Sequence, residues 1–200
     1  MSVQRVYIVR HGETAYNYAR RLQGFLPVPL NETGQAQATA LGDYLKDTRI
    51  DMVYTSDLQR CTETAELACG GRDLTIVHDE RLREVNLGQF QGLTRDQIAE
   101  LYPLEYMRWS GNDAYVVPGG ESRIMVKKRM HIAWKDIIAT STGEHIMIVS
   151  HGGAIRQLLL AILDTDSVSS TGIPNTSLTI LNRHEEIWQA ELLAATPHLT

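Results

Sequence analysis

Twice in this chain a short apolar run ends in a histidine followed by glycine. Val6-Tyr7-Ile8-Val9 runs into Arg10-His11-Gly12, and His145-Ile146-Met147-Ile148-Val149-Ser150 runs into His151-Gly152-Gly153. Neither run alternates polar with apolar residues, so each predicts a strand buried on both faces. Strands of that kind need helices on both sides of their sheet. If the two are parallel neighbours, His11 and His151 share one rim, the carboxyl edge at which open α/β sheets bind ligands. Gly12 lets the backbone turn or approach a ligand without a Cβ in the way. A single strand ending in a solvated Arg and His would mean little; the repetition gives it weight.

The rest of the chain supplies the helices. Thr33 reads as the N-cap of a helix over about 33–46, with Ala36, Ala40, Leu41, Tyr44 and Leu45 at helical spacing. Residues 51–56 predict a second buried strand, after which Ser56-Asp57 can cap a helix carrying Leu58, Cys61, Ala65, Leu67 and Ala68 and ended by Gly70-Gly71. Leu74–Val77 reads as a third strand, and residues 81–92 read as loop. Thr94 opens a helix to about Leu101, which Pro103 stops. Residues 102–118 hold Tyr102, Tyr106, Trp109 and Tyr115 without strong periodicity, so about 93–118 is expected to be a small helical or loop lid insertion. Its rings either line a pocket or pack the lid itself. A long helix over about 121–140 follows, and another with Ile155, Leu158, Leu159 and Ile162 comes after the 145–150 strand. Residues 175–181 and 187–193 read as an antiparallel edge hairpin turning near 183–185. The expected fold is α/β: one three-layer α/β/α domain spanning residues 1–200, with a mostly parallel sheet and an antiparallel edge.

Bulk properties narrow the function. Two hundred residues with 43% hydrophobic and 22% charged content can bury a core without metal or disulfides. A formal net charge of −5 and the lack of a long basic run argue against nucleic acid or an anionic membrane as partner. The densest cationic cluster, Lys127-Lys128-Arg129, reads as a solvated helix face. No apolar run approaches a membrane span and no signal peptide is evident, so a cytoplasmic location is expected. Cys61 and Cys69 would lie about 12 Å apart on one helix, too far for a disulfide, as suits a reducing compartment. No zinc-ligand spacing occurs.

Between the two His-Gly motifs lie the remaining partners. Arg60 falls near the start of the helix after the second strand, and Glu84 in the loop after the third, both at the same rim. Two His, two Arg and one Glu converging on one crevice is a charged cluster that packing does not require.

Val9-Arg10-His11-Gly12-Glu13-Thr14 with Asn17 resembles the signature of the histidine phosphatase superfamily, also called the phosphoglycerate mutase-like family. The resemblance continues in order through Gln23-Gly24, Leu30 to Ala36, Thr55 to Arg60 with Thr64-Ala65, and Leu82-Arg83-Glu84 with Gly88 and Gln91-Gly92. Pro118 to Ser122 and Val149 to Gly153 complete it. It implies that His11 is the nucleophile forming a phosphohistidine, attacking as the neutral imidazole that nearby guanidinium groups favour. Arg10 and Arg60 would clamp the phosphoryl oxygens, with His151 as a cationic or hydrogen-bonding arm. Asn17, Gln23, Gly24 and the Gly152 amide at a helix N-terminus would be further phosphate contacts. Glu84 would be the acid for the leaving alkoxide and then the base for water, an acid role that needs a raised pKa beside the phosphate dianion. Such an Arg/His cage can take the place of metal ions, so neither metal nor cofactor is expected.

The resemblance covers both phosphatases and mutases. Cofactor-dependent mutases resemble longer chains with a basic lid and tail, whereas the segment 93–118 offers only Arg95 and Arg108 as cations. A phosphomonoester hydrolase acting on a small phosphorylated metabolite, with an apolar ring-lined pocket for the leaving group, is therefore preferred. Mutase-type transfer and a non-catalytic phosphate-binding relative are the alternatives. His198 lies where some relatives of this size place a substrate contact, and the edge strands near 175–193 could pair in a homodimer.

Overall fold

Alternating burial within the strands sets the layers. In β1 (Arg5–Arg10), Val6 and Ile8 point to one side of the sheet and Tyr7 and Val9 to the other, all buried. The computed structural model describes residues 2–163, 168 and 171–199. Its other strands are β2 (Met52–Thr55), β3 (Thr75–His78), β4 (His145–Ser150), β5 (Leu178–His184) and β6 (Ile187–Ala195). They form one sheet in the order β3-β2-β4-β1-β5-β6; β1 to β4 are parallel, and β5 and β6 add the antiparallel edge. The fold is thus the α/β arrangement that the sequence predicts.

The helices are α1 (Ala15–Tyr18), α2 (Glu32–Tyr44), α3 (Gln59–Cys69), α4 (Arg95–Leu101), α5 (Pro103–Gly111), α6 (Arg123–Thr140) and α7 (Gly152–Ile162). On one face of the sheet, Leu41 of α2 and Cys61, Ala65 and Ala68 of α3 meet Tyr7, Val9, Val53 and Met147. On the other, Val126, Met130 and Trp134 of α6 and Ile155 and Leu158 of α7 meet Val6, Ile8, Ile146 and Ile148. Each of the Val, Leu, Ile and Met side chains among these is worth about 1.5–3 kcal/mol when taken fully out of water, so both layers hold the sheet. Cys61 and Cys69 are free and buried. No helix among the described residues is long and apolar enough to cross a membrane.

Several boundaries differ from expectation. Asn31, not Thr33, caps α2, because its carboxamide oxygen accepts from the Gly34 amide at 2.8 Å. Leu58 caps α3 without a side-chain bond, while Ser56 reaches back only to the Leu58 amide. Pro103 ends α4 but also starts α5 as its first residue, where a missing N–H costs nothing. Residues 175–177 are a turn before β5, not strand.

The segment 93–118 has an apolar cluster of its own. Ile98, Trp109 and Val117 pack with Phe90 and Leu87, and Tyr102, Tyr106 and Tyr115 lie against them. Most of the rings therefore pack on one another rather than lining a pocket.

Candidate active site

In β1 and β4, Arg10 lies opposite Ser150, so the next residues, His11 and His151, leave the sheet side by side. The His11 amide donates to the Ser150 carbonyl at 3.0 Å, and the two imidazoles stand edge to face with centroids 5.2 Å apart. The His11 Nδ1 lies 2.7 Å from the Gly12 carbonyl. A carbonyl can only accept, so Nδ1 carries the proton and Nε2 keeps its lone pair. Burial first, then the Arg10 and Arg60 guanidiniums, hold the ring pKa well below the ordinary histidine value. His11 is neutral, with its lone pair on the nitrogen that does not bond the backbone.

His151 is completely buried and has both nitrogens engaged. Arg60 Nε donates to Nδ1 at 3.2 Å, so Nε2 carries the proton and donates to Ser56 Oγ at 2.9 Å. Burial, then Arg60, His11 and Arg10, push its pKa well down as well. Of the two roles the resemblance implies for His151, cationic or hydrogen-bonding arm, the neutral ring suits the second, and it also orients Arg60. Ser56 has no counterpart among the sequence-based site residues, because a serine at a strand end carries no signal of its own.

Arg60, the second residue of α3, is buried; beyond its bond to His151 it donates to the Leu26 carbonyl at 3.1 Å and the Gly24 carbonyl at 2.8 Å. Gly24, expected to be a phosphate contact, thus also aims Arg60 through its carbonyl. Its φ of +52° and the Gln91 side chain pressed against its Cα require glycine there. Arg10 donates to the Ile173 carbonyl at 2.6 Å, and its buried Nε has no partner. Among the described residues, neither Arg10 nor Arg60 pairs with a carboxylate. Two guanidiniums facing one cavity, offset only by the nearby charge of Glu84 and bonded to no carboxylate among the described residues, form an anion site.

Glu84 closes the opposite side. Its carboxylate accepts from the Val85, Gly153 and Ala154 amides at 2.9, 3.1 and 2.9 Å, the last two at the N-terminus of α7. Those bonds use the α7 amides nearest the cavity. Gly152, whose amide the resemblance makes a phosphate contact, lies against Arg10, where a Cβ would be 3.3 Å from Arg10 Nε, and Glu84 does not use its amide. The loop carrying Glu84 is held by Arg129, which donates to the carbonyls of Arg81, Arg83 and Glu84 at 2.7, 2.9 and 3.2 Å and pairs with Glu121. The expected solvated face is thus wrong for Arg129: it fastens the loop from α6.

These groups border one cavity of about 590 Å³. Arg10, His11, Asn17, Gln23, Gly24, Arg60 and Glu84 line it, with His151 immediately behind His11 and Arg60. The far wall departs from the apolar pocket expected. Trp109 is its one ring apart from the His11 imidazole, and the Arg95 and Arg123 guanidiniums stand 4.9 and 5.3 Å from the Trp109 centroid. Arg21 and Arg156 also line the cavity, so among the described residues six arginines and two carboxylates, Glu84 and Asp113, border it. Arg123 pairs with Asp113 at 2.8 Å. Arg21, Arg123 and Arg156 lie on separate elements, which is why no run of sequence announces them. Asn175 was missed for a different reason: it sits at the head of an expected strand. Its Nδ2 donates to the His11 carbonyl at 3.0 Å and to Asn17 Oδ1 at 3.2 Å.

A family model described as the histidine phosphatase superfamily (branch 1) matches residues 6–196. The metal-independent phosphoserine phosphatase of Arabidopsis thaliana is 34% identical over 204 residues, covering 99% of this chain and 84% of that protein. Phosphoglycerate mutase-like protein 4 of the same plant is 40% identical over 159 residues, 76% of this chain and 68% of its own length. Among solved structures, Bacillus stearothermophilus YhfR superposes with a TM-score of 0.90 at 33% identity, covering 98% of this chain and 99% of that one.

Proposed function

The chain belongs to the histidine phosphatase superfamily, branch 1, and from that membership we propose that it is a metal-independent phosphomonoester hydrolase working through a phosphohistidine at His11. The observation that carries the proposal is the half-buried Arg10 and the buried Arg60, neither bonded to a carboxylate among the described residues, beside a neutral His11. A phosphoryl dianion is the counter-ion that this cage lacks. The His11 Nε2 lone pair attacks phosphorus as the ester P–O bond breaks, and Glu84 gives its proton to the departing alkoxide. Water then attacks the phosphohistidine, Glu84 takes its proton, and the N–P bond breaks to release phosphate. Arg10 and Arg60 stabilise charge on the phosphoryl oxygens in both steps, and Asn17 and Gln23 are neutral contacts.

The leaving alcohol carries a second anionic group. Arg95 and Arg123 over Trp109, with Arg21 nearby, bring guanidinium groups to the wall on a protein whose net charge is −5, and Asp113 pairs with one of them. The test is release of inorganic phosphate from 3-phosphoglycerate, glycerol 3-phosphate and p-nitrophenyl phosphate. The carboxylate ester should be turned over with a kcat/KM about 10–100-fold above glycerol phosphate, as one charge-assisted pair allows. His11→Ala should release none, and EDTA should leave the wild-type rate unchanged. Phosphate release by His11→Ala at the wild-type rate would remove the nucleophile assignment.

The cationic wall also favours a second reading, phosphoryl transfer to another hydroxy acid as in a mutase. Arg21, Arg123 and Arg156 weaken the case against it that rested on the few cations in 93–118. Isomerisation of 3-phosphoglycerate without net phosphate release would select this reading over hydrolysis.

A further inference from the structure

The turn before β5 is more elaborate than a strand connection requires. Asn175 directs its one amide NH2 group at two acceptors of the active site, the His11 carbonyl and Asn17 Oδ1. The Thr176 amide adds a second bond to the His11 carbonyl at 3.3 Å. Thr176 itself has a φ of +51°, a left-handed conformation that a β-branched residue adopts only under constraint. Such strain persists where surrounding groups over-determine it, and it gathers at functional sites.

The constraint is visible. Thr176 Oγ1 donates to the Asn175 carbonyl at 2.8 Å, so that oxygen accepts from His198 Nε2 at 2.9 Å. His198 belongs to the turn Pro197–Leu199, beside Tyr44 of α2. It does not line the cavity, and its link to the site runs through Thr176.

We infer that Asn175, held by Thr176 and His198, is a positioning residue that fixes the Asn17 carboxamide and the His11 backbone for phosphoryl transfer. The chemistry depends on which end of Asn17 faces the cavity. A phosphoryl oxygen accepts hydrogen bonds and has no proton to give, so Asn17 must present its NH2. Asn17 Oδ1 already receives the Thr14 amide at 3.2 Å, the Thr14 hydroxyl at 3.1 Å and Asn175 Nδ2. A flipped Asn17 would set its NH2 against two N–H donors. Asn17 Nδ2 is therefore the end left for the substrate. The same Asn175 group anchors the carbonyl of the residue that carries the nucleophilic nitrogen, so one side chain sets the relative placement of donor and nucleophile.

This rests on the reading of His11 as nucleophile, and the experiment separates the two. Wild type, Asn175→Asp, Asn17→Ala and the double variant are compared on p-nitrophenyl phosphate, with thermal midpoints measured alongside. Asn175→Asp keeps the shape but replaces the donor with an acceptor. It should lower kcat about 10–100-fold with KM changed less than about threefold, the scale of a small misplacement. In the Asn17→Ala background the same change should cost markedly less, because part of what it positions is gone. His198→Ala should lower kcat about 3–10-fold, and His198→Gln, which can still donate to Thr176, should recover most of it. If Asn175→Asp and His198→Ala both keep kcat within about twofold, or the two substitutions at 17 and 175 are fully additive, the inference is overturned. If wild type releases no phosphate from any ester, the underlying reading fails instead.

Discussion

At the scale of single residues, the two imidazoles at the centre of the site are neutral for the same reason: both are buried beside guanidinium groups. In the unfolded chain each would take up a proton near pH 6.5, but folded they resist it to well below that value. Unfolding below pH 6.5 therefore binds about two more protons than the native state holds. Stability is full above that pH, declines as pH falls beneath it, and levels off only below the folded-state pKa values. The slope from these two groups approaches about 2.7 kcal/mol per pH unit. Urea midpoints measured from neutral pH down to about 5 should show this fall; a fall of half this size would mean that one ring is already charged in the native state, and a flat midpoint that both are. Activity should follow a different course, since the wild-type kcat/KM should show no loss from His11 protonation near pH 6.5.

At the scale of elements, the loop of residues 79–92 shows how the Glu84 carboxylate is placed with little regular structure around it. It makes single 3₁₀ turns at Glu80–Leu82 and Gly88–Phe90, and a side chain from α6 fastens it. Arg129 collects three of its carbonyls and is steadied by Glu121, which also accepts from the Asn86 amide at 2.9 Å. Arg129→Gln should remove most of these bonds and leave Glu121 without its cation. A destabilisation of about 2–4 kcal/mol is expected, with kcat falling because Glu84 is no longer fixed. Chemical denaturation and steady-state kinetics on one preparation check both. The same loop marks the limit of what the sequence discloses. Strands with uninterrupted apolar runs, such as β1 and β4, announce themselves, and their ends bring His11 and His151 together. Arg10, Arg60 and Glu84 follow from their distance to those ends. Arg129 does not, because the helical pattern of α6 looks the same whether its arginine faces water or a loop 45 residues away. Arg123 and Asn175 were hidden likewise: each acts across a contact that only the tertiary fold creates.

At the scale of the whole molecule, an acidic protein encloses a cationic cavity. Its surface charge disfavours anions in general while six arginines attract them at one place. The anion site should therefore couple to folding. Inorganic phosphate at about 100 times its dissociation constant should add about 2.7 kcal/mol, or roughly 5–10 °C in thermal midpoint. Chloride at equal ionic strength should add much less, and Arg10→Gln should abolish most of the phosphate effect. The two uncompensated guanidiniums also say something about the protein when it has no work to do. If, as proposed, the site hydrolyses phosphate esters, the tetrahedral anion it releases is itself an anion that these guanidiniums would hold. On that reading each new ester competes with free phosphate for the same two guanidiniums, and raised phosphate is expected to slow turnover with no dedicated regulator.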